Sequence, residues 1–308
     1  MEYFEIGKWI EGHRTRYDLM NSGFGRRNDI KKYIEKITLK TEDDVKEDIA
    51  NLYSIDKRNI ALTHGATEGY SIFIFINRKK IKCRYHMPEY ELIYKVPKLY
   101  DIEEGNDVIC ASNPHNPTGE FLDIKNKSII DETFLFFYMD PNKVKYENSL
   151  SRINTFTKFF HDEVRLGWII SNDTDKIESL RGIMFERVSS VNLGIAHEML
   201  KDYDNIKEHV RTISEENLNY IKGNKGKLRF YRNSIPVNGT VVFMDYSEYS
   251  GQDSTEISGL LYENGISVVP SRYFGIEGPY IRIAYTSENF REGYDQLLTF
   301  FENLELYL

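Results

Sequence analysis

Apolar runs that alternate with helical patterns constrain the fold of this chain more than any other feature of its sequence. Four such runs are short and rich in β-branched or aromatic residues: KIKCRY (80–85), DVICAS (107–112), SIIDETF (128–134) and LGWIIS (166–171). Segments of helical periodicity separate them. Because strands joined through helices can pair side by side in the same direction, this order predicts an α/β domain with a mostly parallel sheet.

The pattern changes after about residue 205. An amphipathic helical segment is followed by TVVFMDY, a helical TEISGLLYEN, the two strand-like runs GISVVP and YIRIAY, and a final helical SENFREGYDQLLTFFENL. This order is typical of a small α+β domain. We therefore expect a large domain over residues 40–204 and a small domain that combines residues 1–39 with 205–308.

Composition excludes several classes of protein. Hydrophobic residues make up 41% of the 308 residues and charged residues 29%, as in ordinary globular proteins. The net charge of −8 disfavours binding to nucleic acid or to an anionic membrane. Cys83 and Cys110 form no metal-binding motif, so we expect reduced core residues and no zinc site. Neither a signal peptide nor a membrane-spanning run is recognisable, and we expect a cytoplasmic protein.

Two charged side chains lie in apolar surroundings. Lys158 stands between a threonine and two phenylalanines in NTFTKFFHDEVRLGW (154–168), and Asp131 lies inside SIIDETF. Each has an ordinary interpretation, since the lysine can point into water and the acid can cap the end of a strand. Either residue can also belong to a buried site, and the local sequence leaves both interpretations open.

Three other stretches are equally open when each is considered alone. SNPHNPTGE (112–120) follows an apolar strand and indicates a turn. THGATEGY (63–70) is a glycine-led junction from strand to helix, where backbone N–H groups can also bind phosphate. Arg282 is isolated in the strand-like YIRIAY, and an arginine there can simply face solvent.

Together and in this order, the motifs resemble those of the pyridoxal-phosphate-dependent aminotransferases of fold type I. Asn113 to Gly119 match NPxNPTG, and Asp131-Glu-Thr-Phe134 is similar to D-E-A-[YF]. The stretch from Thr155 to Trp168 is similar to [ST]-x-[ST]-K followed by R-[LI]-G-[YFW]. GATE and GISVVPSRYFG complete a resemblance that covers nearly the whole chain. It is strongest toward the branch of histidinol-phosphate aminotransferase and threonine-phosphate decarboxylase.

The resemblance implies roles for the residues around the cofactor ring of pyridoxal 5'-phosphate. Lys158 would form the Schiff base and then carry a proton as general base and acid. Asp131 would pair with the protonated pyridine nitrogen and so maintain the ring as an electron sink. Asn116 would donate a hydrogen bond to the phenolic oxygen, and Tyr90 would stack on the ring.

The resemblance also implies residues for the phosphate and the substrate. Ala66 and Thr67 at the helix start, with Thr155 and Arg165, would hold the cofactor phosphate. Arg282 would bind the substrate carboxylate, and Asn21 in NSGFG (21–25) would lie near it. Four residues are open between recognition of an anionic substrate side chain and simple solvation: His13, Arg14, Arg16 and Arg272.

Some features depart from the family pattern. Phe134 stands where most members have tyrosine, and the spacing from Lys158 to Arg165 is one residue shorter than usual. Only EFLDIKNKSII separates NPTG from Asp131, which is short for a connection between parallel strands. These features predict a trimmed version of the fold.

We expect a homodimeric enzyme of amino-acid metabolism that transfers an amino group between an amino acid and a 2-oxo acid. A decarboxylase of a phosphorylated amino acid is the alternative, because the same cofactor serves both reactions. A protein that binds the cofactor without turnover is a third possibility, which the retained Lys158, Asp131, Asn116 and Arg282 disfavour.

Overall fold

The computed structural model describes residues 4–24, 29–184 and 186–307. Its α-helices follow one another along the chain as α1 (Glu5–Gly12), α2 (Lys31–Ile34), α3 (Glu42–Tyr53), α4 (Ala66–Asn77), α5 (Glu91–Leu99), α6 (Leu135–Tyr138), α7 (Phe156–Phe159), α8 (Thr174–Met184), α9 (Ser190–Lys201), α10 (Tyr203–Gly223), α11 (Ser254–Glu263) and α12 (Phe290–Glu302). None of these combines the length and the apolar character that crossing a membrane requires.

Three sheets contain the strands of the described ranges. The strands are β1 (Tyr17–Asp18), β2 (Ile60–Thr63), β3 (Cys83–Tyr85), β4 (Val108–Ser112), β5 (Ser128–Asp131), β6 (Ser149–Thr155), β7 (Gly167–Ser171), β8 (Arg229–Phe230), β9 (Val241–Asp245), β10 (Ile266–Ser267), β11 (Val269–Pro270) and β12 (Tyr280–Ala284). The largest sheet has six strands in the order β2-β7-β6-β5-β4-β3. Strands β3 to β6 pair in parallel and β7 is antiparallel to both of its neighbours, so the prediction of a mostly parallel α/β sheet is confirmed.

The parallel strands of this sheet bring the sequence motifs to one edge. Strand β4 ends at Ser112, which lies opposite Asp131 at the end of β5, and Asp131 in turn lies opposite Ile153 of β6. Strand β6 ends at Thr155, three residues before Lys158. The carboxyl edge of such a sheet is where open α/β folds bind their ligands.

Strand β6 was not among the runs that the sequence predicted. Its residues SLSRINT include several polar side chains, yet most of the strand is buried. Buried partners explain this: Nε of Arg152 donates to Oε1 of Glu132 at 2.6 Å, and the amide of Asn154 donates to the Tyr53 hydroxyl at 3.1 Å. A central strand can carry polar side chains where each has such a partner.

The connection from β4 to β5, residues 113–127, contains no α-helix. It joins two adjacent parallel strands through the NPHNPTG loop and extended chain alone. Helices normally cover such crossovers. The trimmed architecture that the short spacing predicted is therefore present at this connection.

The second sheet has the order β11-β12-β9-β8, with antiparallel pairing throughout. The run GISVVP contains two strands rather than one, because β10 pairs with β1 of the N-terminal segment and β11 pairs with β12. The β1–β10 pair ties the N-terminal segment to the C-terminal part of the chain. The division into residues 40–204 and 1–39 with 205–308 stays a prediction.

Candidate active site

One cavity of about 410 Å³ lies at the carboxyl edge of the large sheet. The residues that the motifs singled out all line it: Asn21, Ala66, Thr67, Tyr90, Asn116, Asp131, Thr155, Lys158, Arg165 and Arg282. They come from segments up to 261 residues apart, Asn21 to Arg282, so only the tertiary fold brings them together.

Lys158 reaches this cavity because its neighbours anchor a short helix in the core. Phe156, Phe159 and Phe160 are fully buried, and the rings of Phe156 and Phe160 stack at 4.3 Å. Thr157 and Lys158 lie on the other side of the helix and line the cavity. The apolar residues around Lys158 therefore anchor α7 in the core, and the side chain of Lys158 faces the cavity.

Burial and, after it, the positive charge of Arg282 lower the pKa of the Lys158 amine to about 8. Asp162 and Asp131 act in the opposite direction, and Arg165 adds to the lowering. A substantial fraction of the amine is therefore neutral near physiological pH. A neutral amine is what a nucleophile or proton acceptor requires.

Asp131 is a buried carboxylate at the end of β5. Burial raises its pKa to about 6, although the backbone N–H and the hydroxyl of Thr133 both donate to Oδ1 and oppose that shift. Among the described residues no lysine or arginine pairs with it. A carboxylate in this state favours a cationic ligand, because a nearby positive charge would restore its ordinary ionisation.

The turn between β2 and α4 forms a cradle for an anion. The N-cap of α4, a helix of 12 residues, is Gly65, which has no side chain to cap the first N–H groups, and Ala66 and Thr67 line the cavity. A Cβ on Gly65 would lie 3.3 Å from Nη2 of Arg165 and 3.9 Å from Oγ1 of Thr155. The backbone amides of Ala66 and Thr67, the guanidinium and the hydroxyl therefore surround one small space.

Gly167 of the RLGW motif allows this cradle to form. A Cβ on Gly167 would lie 2.5 Å from the carbonyl carbon of Gly65 and 2.9 Å from the nitrogen of Ala66. Strand β7 therefore passes directly beneath the turn, with no room for a side chain. The glycine of the RLGW motif, Gly167, therefore permits the close backbone contact on which the anion cradle depends.

Asn116 and Arg282 meet at the opposite end of the cavity. Both are buried, and Nη1 of Arg282 lies 3.5 Å from Oδ1 of Asn116. Nη2 of Arg282 donates to the carbonyl of Met20 at 2.5 Å, whereas Nε has no hydrogen-bond partner within the described ranges. Burial lowers the pKa of this guanidinium to about 10. A buried cation with an open N–H group and no carboxylate partner in the described part of the chain is suited to binding an anion.

The family comparison agrees with this geometry. The model of the family "Aminotransferase class I and II" matches residues 95–297, which include Asn116, Asp131, Lys158 and Arg282. The chain belongs to the class I and II aminotransferases.

Relatives of this aminotransferase fall in the predicted branch. The histidinol-phosphate aminotransferase of Pyrococcus furiosus is 25% identical over 250 residues, which are 68% of this chain and 72% of that protein. The match to the solved structure of histidinol-phosphate aminotransferase from Clostridium acetobutylicum covers 95% of this chain and 100% of that chain. The sequence identity is 17% and the TM-score is 0.75. L-threonine-O-3-phosphate decarboxylase from Porphyromonas gingivalis covers 93% of this chain and 99% of its own, with 16% identity and a TM-score of 0.73. These two structural likenesses show the shared fold.

As a class I and II aminotransferase, the chain uses pyridoxal 5'-phosphate as its cofactor. Three features of the cavity fit that molecule: the uncapped start of α4 and its cradle suit a phosphate, Asp131 suits a pyridinium, and Lys158 supplies an amine for the aldehyde. The open Nε of Arg282 suits a substrate carboxylate at the other end.

Sequence reasoning missed several residues of this aminotransferase cavity. Thr133 donates two hydrogen bonds to Asp131, and Thr157 lies beside Thr155, with 3.2 Å between the hydroxyl oxygens. Both are within two residues of a predicted site residue, a signal that was available. The wall formed by Phe4, Ile6, Ile10 and other residues of the α1 region could not have been predicted, because no motif marks that segment.

The four residues left open for an anionic side chain have separate positions in the aminotransferase. Arg14 lines the cavity and makes no ion pair with any residue that the structure describes. His13 stacks on Trp9 at 3.6 Å, and Arg16 pairs with Glu292 at 2.9 Å. Arg272 lies over the ring of Tyr273. Gly25 of NSGFG lies outside the described residues.

Proposed function

We propose that this cavity catalyses amino transfer between an amino acid and a 2-oxo acid, with Lys158 as the proton carrier. The observation that carries the proposal is the position of the Lys158 amine. Its pKa is lowered to about 8, and it shares one cavity with Asp131, Asn116 and the buried Arg282. Bound pyridoxal phosphate supplies an electron sink that stabilises negative charge at the substrate Cα.

Each residue has a defined task in this proposal. Arg282 would bind the α-carboxylate of the substrate and orient its Cα toward Lys158. The Lys158 amine would remove the Cα proton as general base and return a proton as general acid. Asp131 would hold the proton on the ring nitrogen of the bound cofactor, and Asn116 would donate to its ring oxygen. The amides of Ala66 and Thr67, with Thr155 and Arg165, would hold the phosphate, and Tyr90 would stack on the ring. Asn21 would lie beside the substrate carboxylate.

The test uses the visible absorption band that appears when a lysine of the protein binds pyridoxal phosphate. Wild-type protein should acquire the band, and Lys158→Ala should not. A panel containing glutamate, histidinol phosphate and threonine phosphate is then added in turn, and each loss of the band is compared with release of the carbonyl product. Equal amounts of band lost and product formed support amino transfer. A band in Lys158→Ala equal to that of the wild type would refute the assignment of the lysine.

Phe134 favours a second candidate, the decarboxylation of a phosphorylated amino acid. Its ring is buried and lines the cavity where most aminotransferases have a tyrosine hydroxyl. A phenyl ring supplies no hydroxyl to share with Asn116 the proposed contact with the ring oxygen. Release of carbon dioxide from threonine phosphate, with the visible band retained, would favour this reaction over amino transfer.

We also propose that the chain acts as a homodimer in the cytoplasm. The family resemblance supports the dimer, and the buried free thiols of Cys83 and Cys110 support a reducing compartment. Light scattering gives the mass of the particle in solution, and a monomer at working concentrations would contradict the dimer.

A further inference from the structure

Glu89 is a buried carboxylate that the reaction does not use. It lies between Pro88 and Tyr90, and no part of it is exposed. Its oxygens accept three hydrogen bonds: from the backbone N–H of Tyr90 at 2.7 Å, from the backbone N–H of Ser112 at 3.0 Å, and from the Ser112 hydroxyl at 2.5 Å. Carboxylates buried this deeply are rare unless their partners are specific.

The contacts of Glu89 lead to Asn116. The Ser112 hydroxyl, which donates to Glu89, accepts a hydrogen bond from the backbone N–H of Asn116 at 2.9 Å. Because that hydroxyl has one hydrogen, its direction is fixed by the carboxylate, and its oxygen is left to accept. The chain of contacts therefore runs from Glu89 through Ser112 to the residue proposed to contact the ring oxygen.

The neighbouring histidine is oriented in the same cluster. Nε2 of His115 lies 3.2 Å from the carbonyl of His86 and 3.6 Å from Oε2 of Glu89. A carbonyl only accepts, so this nitrogen carries the hydrogen, and Nδ1 accepts from the hydroxyl of Thr118 at 2.8 Å. The polar groups of the described residues that face the Glu89 carboxylate are thus all hydrogen-bond donors.

The backbone of Glu89 is connected to the segment between β11 and β12. Its N–H donates to the carbonyl of Phe274 at 3.0 Å, and the Phe274 ring lies 5.4 Å from the guanidinium carbon of Arg282. One residue therefore contacts the segment of Tyr90, the segment of Asn116 and the loop beneath the carboxylate-binding arginine.

We propose that Glu89 is a positioning residue that holds Tyr90 and Asn116 where they would contact the cofactor ring, and that its negative charge is required for this role. The charge is needed because all three close partners donate hydrogens, and only a carboxylate offers two accepting oxygens. A glutamine would place an NH2 group against a backbone N–H. The carboxylate also adds to the raised pKa of Asp131. The inference rests on the proposed function of the cavity.

The experiment compares cofactor affinity in Glu89→Gln and in wild type, measured by titration of apo-protein with pyridoxal phosphate. One unpaired buried N–H lowers affinity on the order of tenfold when it disturbs both ring contacts. We expect at least that increase in the dissociation constant, and a shift in the pH dependence of the visible band toward lower pH, because removal of a nearby negative charge disfavours the protonated form of the bound cofactor.

A matched control separates positioning from general loss of stability. Glu42 is a partly buried glutamate that accepts from the backbone N–H of Val188 at 3.2 Å and from Arg181 at 2.7 Å, and it does not line the cavity. Glu42→Gln should lower the free energy of unfolding while the dissociation constant for pyridoxal phosphate stays within about twofold of wild type. If Glu89→Gln behaves in the same way as Glu42→Gln, the positioning role is refuted.

A second variant covers the case in which Glu89→Gln does not fold. Ser112→Ala keeps the carboxylate and removes only the hydroxyl that links it to Asn116. We expect the dissociation constant to rise about threefold to tenfold, since one hydrogen-bonded link is lost. Unchanged affinity and an unchanged band in this variant would overturn the link. Failure of the wild-type protein to form any visible band would instead refute the proposed function.

Discussion

At the scale of single residues, the site depends on side chains whose pKa values differ from those in water. Lys158 has its pKa lowered from the usual 10.5 to about 8, and Asp131 has its pKa raised to about 6. Both shifts have burial as their largest cause. The same burial that makes these groups reactive weakens the fold, because the folded state must hold a charged amine away from water.

The loss of folding stability caused by burying the Lys158 amine is measurable in the apo-protein. The folded state binds fewer protons than the unfolded state between pH of about 8 and 10.5, so the unfolding free energy rises with pH across that window. Below pH of about 8, the full destabilisation of the folded state by the buried charged amine is present. Lys158→Met should therefore stabilise apo-protein at pH 7 by about 2 kcal/mol, a value reduced for partial solvent exposure.

Denaturant unfolding at several pH values tests this expectation. The advantage of Lys158→Met should shrink as pH rises from about 8 to 10.5. The exposed Lys127 offers a control, and Lys127→Met should give no comparable pH-dependent gain. A gain for Lys158→Met that does not vary with pH would mean that packing, rather than charge, is responsible.

At the scale of secondary-structure elements, the cradle for the phosphate depends on how closely β7 approaches the turn before α4. Gly167 and Gly65 are in backbone contact that excludes a Cβ at residue 167. Gly65 also has a φ of 143°, a conformation that other residues rarely adopt. The two glycines therefore determine where the first N–H groups of α4 point.

Gly167→Ala should disrupt this contact. The new methyl group would push the backbone of Gly65 and Ala66 away from β7, which costs about 1–3 kcal/mol of stability. Affinity for pyridoxal phosphate should fall about tenfold or more as the amides move away from the phosphate. Cofactor titration and denaturant unfolding measure the two effects.

Gly182 in α8 provides the comparison. A Cβ there would meet no atom within 4 Å, so Gly182→Ala should leave cofactor affinity unchanged and stabilise the helix by roughly 0.5–1 kcal/mol. If Gly167→Ala also binds the cofactor with wild-type affinity, the close approach of β7 does not control the cradle.

At the scale of the whole molecule, the N-terminal segment connects strands of the C-terminal part of the chain with helix α5. The N–H of Leu19 donates to the carbonyl of Ser267 in β10 at 3.0 Å, and the N–H of Ala284 in β12 donates to the carbonyl of Leu19 at 2.7 Å. On the other side, the buried carboxylate of Glu91 in α5 accepts from the N–H groups of Glu5 and Ile6 at 3.0 and 2.8 Å. The segment is therefore held by β10 and β12 and by α5, and residues of α1 form a wall of the cavity.

Glu91→Gln should loosen α1 without unfolding the protein. It weakens the ion pair with Lys95, which measures 2.5 Å, and leaves one N–H of the first turn poorly paired. Amide hydrogens of residues 5–12 should exchange about tenfold faster, while those of α4 keep their rates. Hydrogen exchange followed by mass spectrometry resolves the two regions. Equal acceleration in both would mean that Glu91 stabilises the whole fold.

The sequence by itself indicated the family of this protein and its cofactor. Lys158, Asp131, Asn116 and the GATE turn could be proposed as site residues because such chemistry needs particular residue types at short spacings, and those spacings survive in the linear chain. The mostly parallel sheet was predicted for a similar reason, since its strands are continuous apolar runs. Strand β6 escaped prediction because its polar residues find partners such as Glu132 only in the folded core.

The tertiary structure alone decided which charged residues work together. The α1 wall, the open N–H of Arg282 and the contacts of Glu89 depend on residues far apart in the chain. Even the four candidates for an anionic substrate were separated only by their positions, with Arg14 at the cavity and Arg16 bound to Glu292. Burial and distance set the pKa of Lys158, and neither is encoded locally, because both arise from packing between distant segments.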